Sequence, residues 1–343
     1  MVKQNERKAV LAITMGDAAG IGPEIILKTL AQPDLYADSR ILVLGDLRVF
    51  RGYASSISEK VPELISLKSP MEVMELPIGA VGVYNPSKER LDYTPGQPNA
   101  ATGKASLLYL DQAAQLAMTS RVSAIVTAPI SKRALQAAGY LYTGHTDYLA
   151  EVTNAHKVYM AIHSKKLTVV SVTGHTSLRR VHSQIKQAKI IRAITLLDQF
   201  LSALRNKKHP AIAVTGLNPH AGEGGILGRE ELFEIVPAVQ AMQGMNYSIV
   251  GPLAADVAFM QAYDGLFDAV IAMYHDQAII PIKLIARFDA CQLSLGLPII
   301  RTSVNHGTAE DIAGKGKANP NSLAEAVRLA LKLINIRNKG HQF

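Results

Sequence analysis

Short apolar runs alternate along this chain with longer stretches in which apolar residues return every three or four positions. The runs at residues 9–14, 41–44, 121–127, 158–162, 168–172, 211–215 and 268–273 are nearly continuous, as expected of strands buried on both faces. Between them the helical spacing predicts a helix from Pro23, one over 102–120 (Leu107, Leu108, Leu110, Ala114 and Leu116), one opening near Lys132, and others over 178–204, 229–242 and 322–336. Strand and helix in alternation on this scale mean an α/β fold with mostly parallel strands. Residues 55–98 break the pattern: they are proline-punctuated and predict loops and short sheet pieces. No internal repeat or low-complexity linker marks a domain boundary.

Where strand meets helix, glycines invite a nucleotide reading and then fail its test. GDAAGIGPE after the first run carries Gly16, Gly20 and Gly22, with Pro23 and Glu24 as helix-start signals, but the spacing is neither G-x-G-x-x-G nor a P-loop. Thr102-Gly103-Lys104-Ala105 lacks the hydroxyl residue after the lysine, and GEGGILG at 222–228 fails as well. A dinucleotide bound here is therefore not held by the ordinary Rossmann fingerprint.

Composition narrows the field. At 343 residues and 48% hydrophobic content the chain can fill the cores of two domains. A net charge of +8 raises nucleic-acid binding, but the basic residues are scattered, Lys165-Lys166, Arg179-Arg180 and Lys207-Lys208 being the densest, with no interleaved aromatics. The excess suits an anionic small substrate and cofactor. A lone cysteine, Cys291, sits in the apolar DACQLSLGLP, reads as strand core, and is compatible with a reducing cytoplasm. Lys3, Arg7 and Lys8 before AVLAITM imitate a signal peptide, but Gly16-Asp17 follows directly and a buried first strand is the better account. No stretch approaches the roughly twenty apolar residues that span a bilayer.

Several of the expected strands end in a polar cluster. In DAVIAMYHDQAIIPIK the apolar run stops at His275-Asp276 and reaches Lys283 eight residues after the histidine. His145 (YTGHTDY), His175 (VTGHTSL), His220 (GLNPHAGEGG) and His306 (SVNHGTAEDIAGKGKANP) sit at comparable places, so five of the ten histidines fall where α/β proteins bind ligands. Each one taken alone reads equally as a cap or a structural side chain; His275 could cap a helix while Asp276 and Lys283 form a solvated pair. His175, His220 and His275 lack i+3 or i+4 ligand partners, so any metal site must be assembled from separate strand ends. The glycines around His220 let backbone approach an anion, and Asp256 in GPLAADVAF opens a helix.

MGDAAGIGPE, GHTDYLAEVT, GLNPHAGEGGILGREE, GPLAADVAF, AMYHDQ and LGLPIIRTSVNHGTA resemble, in order and spacing, the 4-hydroxythreonine-4-phosphate dehydrogenase family of vitamin B6 biosynthesis, PdxA, over essentially the whole chain. HGTAEDIAGKGKANP is also similar to the adenosine-binding loop of isopropylmalate and isocitrate dehydrogenases. The resemblance implies two α/β/α domains with a cleft between them, one from residues 1–130 plus 295–343 and one from 131–294. It implies His175, His220 and His275 as ligands of a divalent metal (Zn, Co, Mn or Mg), and His145, Thr146, Lys283, Gln292 and Arg301 as substrate-binding. It further implies His306, Gly307, Thr308 and Asn319 on the NAD loop, with NADP possible, and a cytoplasmic homodimer with no nucleic-acid or membrane partner. Lys283, Asp256 and Asp276 are the candidate catalytic groups, the aspartates either moving protons or orienting neighbours.

The implied reaction is oxidation of a secondary alcohol β to a carboxylate, then decarboxylation, on a small 4-phosphorylated hydroxy acid such as 4-phosphohydroxy-L-threonine. Three departures from the family pattern, Gln292 for asparagine, Asn305 for aspartate and Ala18 for proline, bear on substrate choice. Paralogues acting on D-threonate or D-erythronate 4-phosphate are the alternative. A phosphate acyltransferase on the same kind of scaffold, needing neither metal nor NAD, is the competing enzyme class.

Overall fold

A computed structural model describes residues 9–87 and 89–341. Lys3, Arg7 and Lys8, with the signal-peptide question they raise, lie outside the described residues. In chain order the elements are β1 (Val10–Thr14), α1 (Gly22–Leu30), β2 (Arg40–Leu44), α2 (Leu47–Ala54), β3 (Leu64–Leu67), β4 (Val81–Tyr84), α3 (Ala100–Met118), β5 (Ala124–Thr127), α4 (Lys132–Ala137) and α5 (His145–Val152). There follow β6 (Tyr159–Ser164), β7 (Thr168–Ser171), α6 (Leu178–Gln184), α7 (Gln187–Arg205), β8 (Ile212–Thr215), α8 (Val236–Gly244), β9 (Ile249–Leu253), α9 (Ala255–Tyr263), β10 (Ala269–Ala272), α10 (His275–Ala286) and β11 (Ala290–Leu295). β12 (Arg301–Val304) and α11 (Asn321–Asn338) complete the chain.

Two compact units result. The first takes the chain through His156 and again Leu297–Asn335; the second takes Lys157–Gly296 and the end of α11. α4 and α5 both pack on α3, which places residues 131–156 in the first unit.

In the first unit the strand order is β3-β4-β2-β1-β5-β12, all parallel. β1 and β5 are buried at every position, which explains their continuous apolar runs, whereas β12 is equally buried but carries the polar Arg301, Thr302 and Ser303. In the second unit the order is β11-β6-β7-β10-β8-β9. Here β6 runs antiparallel to both neighbours, so the expected mostly parallel pattern holds with one reversal. The reversal follows from the tight β6–β7 connection, in which Ser164 accepts from Leu167 N and closes a hairpin no helix could cross.

Two expected helices differ in detail. The helix predicted over 178–204 is broken, with Ile185 and Lys186 extended. Glu234 causes the break from outside: its carboxylate accepts from Gln187 N at 2.8 Å and from Lys186 Nζ at 2.7 Å, capping α7 with a side chain remote in sequence. The helix predicted over 229–242 opens as a π-turn at Glu231–Ile235 before α8. Cys291 is buried in β11, as its surroundings suggest. Among the described residues no helix is long and apolar enough to cross a membrane.

Gly103, read above as a failed P-loop glycine, has a packing role. A Cβ there would lie 2.2 Å from the Ala134 carbonyl oxygen and 2.4 Å from its carbon, because α3 and α4 touch backbone to backbone. Backbone cannot yield as a side chain can, so Gly103→Ala is expected to lose about 2–4 kcal/mol. A urea titration showing an unchanged midpoint would refute that close approach.

Candidate active site

The second unit gathers histidines along one edge. β7, β10 and β8 are adjacent and parallel, so their C-terminal ends face the same way. His175 follows the end of β7, His275 is the first residue of α10 after β10, and His220 lies in the turn after β8. Three strands with no sequence proximity thus deliver three imidazoles to one rim. The rings of His175 and His275 are 4.9 Å apart between centroids and tilted by 42°. They line a cavity of about 240 Å³ with Gly174, Thr176, Leu178, Val181, Tyr274 and Asp276. His220 is not among its lining residues, and among the described residues no three His, Cys, Asp or Glu side chains close around a common point. Imidazoles offered from three neighbouring strand ends are nonetheless the donor set that a borderline divalent ion takes.

Asp276 is placed to orient His275. Its carboxylate is 2.6 Å from His275 Nδ1, which leaves Nε2 as the nitrogen available to an ion or substrate. The solvated Asp276–Lys283 pair weighed from the sequence does not form. His275 is not the helix cap either, since Tyr274 holds that position.

Gln277 and Glu231, the last residues of AMYHDQ and GLNPHAGEGGILGREE and neither of them a candidate site residue above, hold these loops in place. Gln277 Oε1 accepts from Met273 N (2.7 Å) and Thr215 Oγ1 (2.9 Å), while its amide donates to the Gly216 carbonyl (2.9 Å), stitching the start of α10 to the end of β8. Glu231, 2% exposed, accepts from the backbone N–H of Leu217 and Asn218 and from the Asn218 side chain. Beyond it the chain runs left-handed through five residues in succession, His220 (φ 52°), Ala221, Gly222, Glu223 and Gly224. Such a turn costs about 1–3 kcal/mol at each non-glycine and persists only where its surroundings enforce it. Glu231 supplies that enforcement.

The remaining expected residues of this unit are not among those lining that cavity. Lys283 is on the exposed face in the last turn of α10, and Asp256 is exposed in the first turn of α9. Gln292 is half-buried in β11, opposite Ile162 of β6.

The first unit holds a different kind of centre. Arg301, 1% exposed at the start of β12, donates from its guanidinium to Thr127 Oγ1 at 2.7 Å. Thr127 in turn donates to Ser303 Oγ, which donates to the Thr127 carbonyl. Burial pushes the guanidinium down to about 9, which still leaves it charged at neutral pH. His145, at the first turn of α5, is close enough to feel that charge. Burial first and Arg301 second hold it well below the ordinary histidine range, against a hydrogen bond to the Ala128 carbonyl. Its Nε2 is shielded from solvent and has no hydrogen-bond partner among the described residues. Thr146 follows it, half-buried. A charged, buried guanidinium beside a neutral imidazole with an unfilled nitrogen sets positive charge and neutral hydrogen bonding side by side.

The unfolded chain binds a proton at His145 near pH 6.5 while the folded chain does not, so stability rises with pH through that region and falls as pH drops below about 6.5. Replacing His145 with Gln should flatten the slope of unfolding free energy against pH between about 5 and 6.5, by at most about 1.4 kcal/mol per pH unit. An unaltered slope in chemical denaturation would contradict it.

The loop opened by His306, Gly307 and Thr308 and closed at Asn319 is also in the first unit. Ile21 N donates to the Thr308 carbonyl (2.9 Å), and Glu310 accepts from the hydroxyls of Thr308 and Ser131. Gly307 and Asn319 are exposed, and a Cβ at Gly307 would meet nothing within 4 Å, so the loop offers bare backbone to a ligand. Exposed amides, an imidazole and a carboxamide suit the ribose hydroxyls and adenine edge of a dinucleotide.

Comparison with known proteins is consistent across sequence and structure. The family model described as pyridoxal phosphate biosynthetic protein PdxA matches residues 37–330. A protein named D-threonate 4-phosphate dehydrogenase from Pectobacterium atrosepticum is 40% identical over 325 residues, 94% of this chain and 99% of that one. Another, named 4-hydroxythreonine-4-phosphate dehydrogenase, from Trichlorobacter lovleyi, is 40% identical over 336 residues, 97% of this chain and 100% of that one. The crystal structure of 4-hydroxythreonine-4-phosphate dehydrogenase from Klebsiella pneumoniae superposes with a TM-score of 0.83 at 38% identity, covering 96% of this chain and 99% of that one. A β-decarboxylating dehydrogenase from Thermococcus kodakarensis (TM-score 0.51, 14% identity) and a phosphotransacetylase from Staphylococcus aureus (0.53, 11%) share the fold alone.

Proposed function

The chain belongs to the PdxA family of pyridoxal phosphate biosynthetic proteins, and from that premise we propose an NAD-dependent, divalent-metal-dependent oxidation and β-decarboxylation of a small 4-phosphorylated hydroxy acid. It is an oxidoreductase acting on a CH–OH group, as its relatives named dehydrogenases are. The observation that carries the metal part of the reading is the delivery of His175, His220 and His275 by three adjacent parallel strand ends.

When bound, the metal supplies Lewis-acid polarisation of the substrate hydroxyl and the nicotinamide supplies a hydride acceptor. The protein's own groups do the rest. Asp276 fixes His275 through Nδ1, and Gln277 fixes the start of α10. Arg301 brings fixed positive charge, and His145 Nε2 with Thr146 gives neutral hydrogen bonding, for the substrate's phosphate and carboxylate. Lys283 is the second unit's cation for an anionic end, and Gln292 its candidate for substrate choice. Asp256 and Lys283 are the proposed proton-handling groups, with Asp276 given an orienting role.

The family carries two substrate names among relatives of equal identity, so identity does not choose between them. We assign 4-phosphohydroxy-L-threonine as the main substrate and D-threonate or D-erythronate 4-phosphate as the alternative, with NAD preferred and NADP possible, in a cytoplasmic homodimer. Comparing kcat/KM for the three acids at saturating NAD tests the assignment; at least a tenfold preference for 4-phosphohydroxy-L-threonine supports it, and a preference for either sugar acid selects the alternative.

A further inference from the structure

α1 is buried at all nine of its positions, yet two of them are charged: Glu24 is fully buried and Lys28 is 7% exposed. They face each other one turn apart at 3.1 Å. Taking such a pair out of water costs several kcal/mol per ion, and apolar residues of like volume usually stabilise a fold as well or better. The pair therefore calls for a reason beyond stability, and its remaining hydrogen bonds show one.

Every one of those bonds goes to a single stretch of the C-terminal loop. Lys28 Nζ donates to the Gly316 carbonyl (2.8 Å) and the Ala318 carbonyl (2.9 Å); Glu24 Oε1 accepts from Ala318 N (2.7 Å). The other end of the loop is tied to the same helix, since Ile21, which caps α1, donates its N–H to the Thr308 carbonyl. The intervening chain contains Gly314 (φ +74°) and Gly316 (φ +67°), left-handed positions where a free chain has wide conformational choice. A loop with two such glycines would be ordered anew at each binding event, and that ordering would be subtracted from affinity. Fastened at residues 308, 316 and 318 to one buried helix, it is ordered beforehand.

We propose that Glu24 and Lys28 are positioning residues for the dinucleotide: they preorganise the loop from His306 to Asn319 and so set cofactor affinity without touching the reacting atoms. This rests on the reading of that loop as the dinucleotide site. The charges suit the task better than neutral groups would, because an ammonium and a carboxylate make the shorter, stronger bonds to carbonyl and amide. The signal in the sequence is slight, an i, i+4 Glu–Lys pair inside the otherwise apolar GPEIILKTL.

The test uses the full-length protein and the double variant Glu24→Leu, Lys28→Met, which removes both charges together and leaves neither stranded. NAD and NADH binding is measured by equilibrium titration, with KM and kcat alongside. The expected result is a loss of at least tenfold in NAD affinity and a matching rise in KM for NAD, with kcat at saturating NAD within about twofold and thermal stability retained. Glu24→Gln, which keeps an acceptor for Ala318 N, should recover much of the loss. In the wild-type protein without dinucleotide, the Ala318 amide should exchange with solvent far more slowly than the neighbouring Lys317 amide. Unchanged affinity in a folded double variant, or an Ala318 amide that exchanges freely, overturns the anchor while leaving the cofactor reading standing. Wild-type protein that binds no dinucleotide overturns both.

Discussion

Replacing His275 with alanine is expected to lower kcat by at least about 10³-fold while the protein remains folded, because the proposed function makes it one of three ligands of the metal that activates the substrate hydroxyl. The expectation depends on where the residue sits. His275 heads α10, half-buried, with Nδ1 occupied by Asp276 and Nε2 directed elsewhere, so its loss strips a donor and leaves little else unsupported. The helix start itself is held by Gln277 through Met273 N and Thr215, which the substitution does not touch. Thermal unfolding should therefore shift little, and stoichiometric binding of cobalt, followed by its visible absorption, should be lost with the activity. Near-normal turnover in a chelator-washed His275→Ala protein would remove the metal assignment. Asp276→Asn should fall between the two, since an amide can still engage Nδ1 but holds the ring less firmly, in the range of about 10–100-fold.

Arg301→Met is the second large effect. A buried guanidinium aimed at an anion makes charge-assisted bonds of about 1.5–3 kcal/mol each, so losing two should raise KM for the phosphorylated acid by roughly 10²–10⁴-fold. Folding should suffer less, because methionine fills similar volume and Thr127 keeps Ser303 as a partner. Arg301→Lys should recover little, as a single ammonium cannot reproduce the planar fork. Removing the charge also removes the second-largest cause of the low His145 value, so the folded-state value should rise towards the ordinary histidine range and the loss of stability attributable to His145 below about pH 6.5 should shrink. A KM within threefold of wild type would refute the anion site.

Much of the architecture was legible because burial writes itself into composition. β1, β5, β8 and β10 are buried on both faces and carry no polar interruption, so their apolar runs sufficed. The reversal of β6 was not legible: its own residues read the same in either direction, and only the short β6–β7 turn decides it. The break between α6 and α7 depends on Glu234, 47 positions from Gln187, and no local pattern announces a cap supplied from that distance.

The site divides in the same way. His175, His220 and His275 stood out because a polar residue ending an apolar strand is conspicuous, but their shared edge depended on the order β7-β10-β8, which spacing cannot reveal. Supporting groups were the least visible. Gln277 lies beside a recognised histidine and differs from a surface glutamine only in its three partners. Glu24 stood out in the sequence only as a helix-start signal and Glu231 and Lys28 carried no role there, yet the fold buries all three. Arg301 was marked by resemblance, yet the Thr127–Ser303 hydroxyls around it come from two strands 176 residues apart.

The most direct test of the account is absorbance at 340 nm with chelator-stripped protein, NAD and each of the three phosphorylated acids, before and after a divalent ion is returned. The stripped protein should form no NADH, and activity should return with zinc, cobalt, manganese or magnesium on at least one acid. Full turnover without metal, or no NADH from any acid with metal restored, would contradict it.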